Sequence, residues 1–197
     1  MQITRITLQV KNPDRVNVFV DGKYLFSLTV NQLVDTKLKV GTNLSDQDTI
    51  IYKKLSNDGK LEQKILNWLV IRQKSSRELK QYLIRNHIDG EEHQFWIEKF
   101  QKNGYQNDEY FAKWWVTQRQ SKNRSTKYIK NELICKGISS DYIELAFIES
   151  DKTDNQALGQ LIEKKRHLTK YKDNKKLTEY LIRQGFSYSS VLDALAE

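Results

Sequence analysis

Apolar positions change their period once along the chain. In "ITRITLQV" they alternate at Ile6, Leu8 and Val10, and "VNVFVDGKYLFSL" is crowded with β-branched and aromatic residues. A period of two with that composition is the signature of half-buried strands. Asp21-Gly22 separates two such runs, and it is the favoured pair for a two-residue type I′ hairpin, whose central residues both take positive φ. Asn12-Pro13-Asp14 supplies an earlier turn. The pattern predicts a three-stranded meander over about residues 2–28, which must pack on the next segments of the chain because three strands alone are marginal. "TVNQLVDTKL" and "LSDQDTIIYKKL" then read as helices, the second N-capped by Ser45 or Asp46, with Asn57-Asp58-Gly59 expected to punctuate the chain.

From Leu61 onward the period becomes helical, and the pattern repeats. "LKQYLIRNHID", "IKNELICKGIS" and "LTEYLIRQGFS" align so that Leu79, Leu83 and Ile88 match Ile129, Leu133 and Ile138, then Leu177, Leu181 and Phe186, about 50 positions apart. Gly137 and Gly185 stand where the anchor helix would end in the left-handed conformation, with His87 in that slot of the first copy. Each unit is expected to hold an upstream amphipathic helix (about 61–73, 107–121 and 154–168), the anchor helix (about 76–87, 125–136 and 173–184) and a closing helix (about 91–103, 140–150 and 187–196). Ser75 with Glu78 spells a capping box, and Ser139 or Ser140 and Ser187 suit the starts of closing helices. A fixed period in which no unit can bury its own apolar face is the mark of a stacked helical repeat. The expected architecture is mainly α: an elongated, curved array of three tandem three-helix repeats at 58–105, 106–150 and 151–197, preceded by a β-rich extension with short helices at 1–57.

Charge adds a second recurrence. The net charge is +8, which favours acidic partners such as nucleic acid or an acidic protein surface. Its distribution is uneven: Arg119, Lys122, Arg124, Lys127 and Lys130 form a run without an acid. Lys164, Lys165, Arg166, Lys170, Lys172, Lys175 and Lys176 form another, broken only by Asp173, and Arg72, Lys74 and Arg77 are a weaker first copy. All three clusters fall at the junction between the first and second helix of a unit, so stacking would line them up along one side. Helix C-termini and solvated faces also collect basic residues, and it is the recurrence of the position that favours a polyanion-binding stripe.

Catalytic and metal chemistry find little support. The sequence holds no glycine-rich phosphate loop and no metalloprotease motif. His87, His93 and His167 lack metal-ligand spacing, so surface and capping roles are expected, with no metal and no cofactor. The acidic pairs Glu91-Glu92 and Asp108-Glu109 could imitate nuclease carboxylates, yet both open helices, where acids answer the helix dipole. Cys135 has no neighbouring histidine to make a nucleophile. Phe111, Trp114, Trp115 and Gln118 follow helical spacing, as do Phe95, Trp96 and Phe100, which reads first as inter-helix core. One of the adjacent tryptophans must point partly away, and that one is the candidate for stacking on bases or meeting a partner. A single cysteine, no signal-peptide pattern and no apolar run of membrane length lead to the expectation of a cytoplasmic monomer.

Four stretches in order resemble the RecX regulatory proteins of bacteria: "RQKSSRELKQYL", "NGYQNDEYFAKWWVTQR", "NELICKGIS" and "EYLIRQGFSY". The matching residues are Arg72, Lys74, Ser75, Glu78 and Leu79 in the first unit; Gly104, Tyr105, Asn107, Asp108, Phe111 and Ala112, then Glu132, Leu133, Lys136, Gly137 and Ile138 in the second; and Gly185, Phe186 and Tyr188 in the third. An extra Ser76 shifts the first segment, and Asn103 stands where a hydrophobic residue is common. The resemblance covers about 60–197 well. It implies a non-catalytic regulator of the RecA recombinase in recombination, DNA repair and SOS control. Such a protein lies in the groove of the RecA–single-stranded DNA filament, hinders its growth and damps ATP hydrolysis and strand exchange. The basic clusters would then meet DNA phosphates or acidic recombinase residues. The readings set against it are a stand-alone single-stranded nucleic-acid binder and a metal-dependent nuclease built on the acid pairs.

Overall fold

A computed structural model, which describes residues 1–150 and 152–196, divides the chain into two compact units, Met1–Ile71 and the remainder from Arg72. In the first, strands β1 (Ile3–Leu8), β2 (Arg15–Val20) and β3 (Lys23–Thr29) form an antiparallel sheet in chain order. Val20 pairs with Lys23 across the turn, and Asp21 and Gly22 take φ of 48° and 80°, the conformation the sequence predicts for this pair. One face of the sheet buries Ile3, Val16, Val18, Phe26 and Leu28, and Leu38 and Leu44 complete the cluster. Helix α1 (Val30–Thr36) opens on a Thr29–Gln32 capping box. Helix α2 (Asp46–Val70) opens on Ser45, one of the two expected caps.

The expected break at Asn57-Asp58-Gly59 does not occur: α2 runs through it, and the boundary expected at residue 57 falls inside a helix. Gly59 is buried, and a Cβ there would stand 2.9 Å from the Gln32 amide and 3.2 Å from Arg15 Nη1. Arg15 is itself buried and donates through Nη2 to Ser27 O, Ser27 Oγ and Ser56 O. The glycine therefore serves close approach rather than a turn. Its helix cost of roughly 1 kcal/mol is offset by the packing it permits.

The second unit is helical: α3 (Ser76–Arg85), α4 (His93–Lys102), α5 (Asp108–Gln120), α6 (Thr126–Cys135), α7 (Ser140–Ile148), α8 (Asp154–Arg166), α9 (Asn174–Arg183) and α10 (Tyr188–Ala196). These lie within the expected spans, with 3-10 turns at Gly90–Glu92 and Thr169–Tyr171. The expected helix over 61–73 is the end of α2 and stops at Val70. Leu79, Leu83, Ile129, Leu133, Leu177 and Leu181 are all 0% exposed, as buried anchors should be. Around them α5, α6 and α7 close on Phe111, Ala112, Val116, Ile143 and Ala146. Likewise α8, α9 and α10 close on Ala157, Leu158, Leu161, Phe186 and Val191. Truncating one such anchor leucine to alanine costs about 2–5 kcal/mol. His87, Gly137 and Gly185 share positive φ of 58°, 78° and 92°, so each anchor helix ends in the same left-handed step. Gly104, with φ of 74°, precedes Tyr105, which is half exposed and meets Phe100 edge-on.

Candidate functional site

Two joints between successive repeats are built alike. Ser75 caps α3: its hydroxyl accepts from the Glu78 amide and donates to the Lys136 carbonyl at the end of α6. Ser125 caps α6, accepts from the Tyr128 amide and donates to the Gln184 carbonyl at the end of α9, 3.0 Å away. Beside each serine, the next residue's amide donates to the first aspartate of a following helix, Ser76 to Asp108 and Thr126 to Asp154, both at 2.8 Å. Serine suits the slot because a hydroxyl can accept and donate at once. In α9 the corresponding cap is Asp173, an acceptor only. Asp108, a candidate nuclease carboxylate by its sequence, is thus occupied by the Ser76 and Gln106 donors, and Glu109 pairs with Lys113.

Charge concentrates at the first joint. Arg72 holds Glu78 with two parallel bonds of 3.0 Å, and Lys136 reaches the same carboxylate at 2.8 Å. Burial alone would raise the Glu78 pKa, but the bonds from Arg72 and Lys136 overcome it and hold the carboxyl at about 2. Lys136 Nζ and the Arg119 guanidinium lie 4.1 and 4.2 Å from the Trp115 ring centre, while Glu132 accepts from Trp115 Nε1 at 2.9 Å and pairs with Arg119 at 2.7 Å. These groups line a shallow cleft of about 460 Å³ together with Tyr128 and Cys135.

The stripe read from the sequence is therefore thinned. Arg72 and Arg119 are neutralised by Glu78 and Glu132. Lys74 is only 6% exposed, and burial, then Arg72 and Lys136, push its pKa down; it is not a solvent-facing cation. Arg77 is exposed with its stem against Gly137, and Arg124 is half-buried with its guanidinium 4.9 Å from the Tyr128 ring centre. Lys122, Lys127, Lys130, Lys164, Lys170 and Lys172 are exposed, as are Lys175 and Lys176, and none has a carboxylate partner among the described residues. In the third repeat Lys165 lies over Tyr180 at 5.0 Å, Lys170 over Tyr171 at 5.6 Å, and Arg166 donates to the Lys172 carbonyl.

The aromatics settle as core. Trp115 is buried, Trp114 is partly buried against the same cluster, and Trp96 and Phe100 are buried, which leaves Phe95 as the exposed aromatic of that helix. His93 Nε2 lies 2.9 Å from the Ile88 carbonyl, a local structural contact. Among the described residues no three His, Cys, Asp or Glu side chains converge as metal ligands, and no helix is long and apolar enough to cross a membrane. Sequence reasoning missed Lys136, Glu132 and Gln106 as charge and joint residues. Gln106 is buried and links Asp108 to the Lys74 carbonyl. Apart from Asp108, two positions from Gln106, their side-chain partners lie 13 to 58 positions away, beyond any local pattern.

Residues 1–45 match the family model described as the regulatory protein RecX N-terminal domain, and residues 107–146 match that of the RecX second three-helix domain. The chain is 32% identical to the regulatory protein RecX of Bacillus pumilus, over 99% of this chain and 76% of the relative. It is 29% identical to that of Bacillus subtilis, over 98% and 75%. The fold is similar to a crystal structure of a regulatory protein RecX (TM-score 0.74, 20% identity, 100% of this chain and 99% of the other). It is also similar to that of RecX from Lactobacillus salivarius (TM-score 0.55, 24% identity, 70% and 93%). An N-terminal sheet domain, three-helix repeats and 32% identity to a relative covered over 76% of its length agree: the chain belongs to the RecX family of regulatory proteins.

Proposed function

We propose that this protein regulates the RecA recombinase without catalysing a reaction itself, lying along the groove of the RecA–single-stranded DNA filament to restrain its growth, ATP hydrolysis and strand exchange. Family membership supports the partner class. The observation that carries the mode of binding is the set of exposed lysines without a carboxylate partner among the described residues, recurring at the junction of first and second helices: Lys122 and Lys127 in one repeat and Lys164, Lys170 and Lys172 in the next. Such cations can exchange solvent counterions for phosphates or acidic side chains. The joints support the reading further: they fix successive repeats to one another, so the cations are presented by a preorganised surface. The three-helix repeats would bridge recombinase protomers, and the chain would act as a monomer in the cytoplasm.

Addition of the protein to RecA on single-stranded DNA, below one copy per recombinase protomer, is expected to slow both filament growth and ATP hydrolysis. Absence of inhibition at any ratio would overturn the proposal. Tight binding to naked single-stranded DNA, with no added affinity for the filament, would favour a stand-alone nucleic-acid binder instead.

A further inference from the structure

Each of the three anchor helices presents an outer face whose apolar part neither the core nor the lysine junction explains. Ile84, Ile134 and Ile182 occupy one slot of α3, α6 and α9, each following a fully buried leucine, and they are 54%, 60% and 42% exposed. A lone exposed isoleucine is ordinary. Three in the same repeat position, each leaving about half of its apolar surface to solvent, are an apolar feature presented three times. Seven residues earlier, two helical turns back on the same face, stand Arg77, Lys127 and Lys175, all exposed and without a carboxylate partner among the described residues. Seven residues of helix span about 10 Å. Each anchor helix thus offers a cation at one end and a branched apolar side chain at the other.

We infer that these faces are three equivalent docking ports for a short acidic protein segment, one whose carboxylate meets Arg77, Lys127 or Lys175 and whose apolar side chain covers the isoleucine. The inference rests on the RecA reading, because a partner that can fill three identical ports is one that offers the same segment repeatedly, as successive subunits of a recombinase filament do. Charge complementarity selects an acidic partner. The isoleucines favour protein over nucleic acid, since a phosphate backbone gives an apolar side chain nothing. Three weak ports on a preorganised array multiply into strong binding without any one contact being tight.

The test uses the full chain with Ile84→Ser, Ile134→Ser and Ile182→Ser, singly and combined, checked for unchanged helical circular dichroism and melting temperature. Fluorescence anisotropy then measures affinity for RecA filaments on single-stranded DNA and, separately, for the naked DNA. Each single variant is expected to weaken filament binding by about fivefold to tenfold, the apolar contribution of one partly covered isoleucine. The triple variant should weaken it by more than about 100-fold, with affinity for naked DNA unchanged. A triple variant that binds filaments as wild type does would overturn the ports while leaving the regulator reading standing. An equal loss on naked DNA would assign the isoleucines to bases and overturn the protein occupant. Failure of the wild-type protein to bind filaments would remove the regulator reading and the ports with it.

Discussion

The joint between α3 and α6 and the joint between α6 and α9 share a backbone plan and differ in their chemistry. In both, a capping serine donates to the carbonyl that ends the next anchor helix, and an aspartate accepts from the following amide. At the first, Glu78 is clamped between Arg72 and Lys136. At the second, Tyr128 and Gln184 occupy the slots of Glu78 and Lys136, and Gly185 lies so close that a Cβ would run into Ser125 Oγ and stand 2.9 Å from Tyr128 Cβ. Lys152, in the slot of Gln106, bridges the Gln120 carbonyl, Asn123 and Gln160. The first joint is held by ion pairs and the second by shape and hydrogen bonds. This difference decides which cations remain for a partner: Arg72 and Lys136 are engaged by Glu78, whereas Lys122, at the position of Arg72 in the next repeat, is exposed and without a carboxylate partner among the described residues.

The sharpest way to break the contrast is at the two glycines. Gly185→Ala should cost about 2–4 kcal/mol, combining left-handed strain with a clash against Tyr128 backbone and Cβ. Gly137→Ala would meet the Arg77 side chain, at 3.0 Å, and should cost less, about 1–2 kcal/mol, chiefly the left-handed strain. Urea denaturation of both variants measures the difference, and equal costs would deny that the second joint depends on shape. Next in size, Glu78→Gln should lose about 1–3 kcal/mol, because Arg72 and Lys136 keep their charge with no carboxylate between them. The same clamp sets a pH response. A carboxyl held at about 2 in the folded protein, against 4.5 as its ordinary value, stabilises the fold above pH 4.5 and loses that contribution as pH falls towards 2. With side-chain exposure of 15% and some solvent screening, the loss should be about 1–2 kcal/mol. Stability curves of wild type and Glu78→Gln should converge across that window. Parallel curves would mean that the clamp does not contribute.

Much of this organisation was legible because its causes are local. The period of two through Ile6 and Leu8, the Asp21-Gly22 pair, and leucine anchors recurring at Leu83, Leu133 and Leu181 each report on the next few residues of backbone. The left-handed helix ends at Gly137 and Gly185 were legible for the same reason. The features that stayed hidden depend on distant neighbours. Asn57-Asp58-Gly59 has turn composition, yet the helix continues because Gln32 and Arg15 need the space that Gly59 leaves. Lys74 and Arg72 looked like members of a surface stripe because Glu78 reads as a capping residue; its second role requires Lys136, 58 positions on. The donor role of Ser75 and Ser125 was concealed by their capping role, since one hydroxyl performs both.

Exposed lysines of the third repeat, without a carboxylate partner among the described residues, offer the most direct test of binding through charge. RecA ATP hydrolysis on single-stranded DNA should be titrated with wild-type protein and with a variant carrying Lys170→Glu, Lys172→Glu, Lys175→Glu and Lys176→Glu, four exposed positions outside both joints. Wild-type protein should inhibit at substoichiometric amounts, and the variant, with unchanged helicity, should need at least about tenfold more because several charge contacts are reversed. No inhibition by wild-type protein, or equal inhibition by both, would contradict the account.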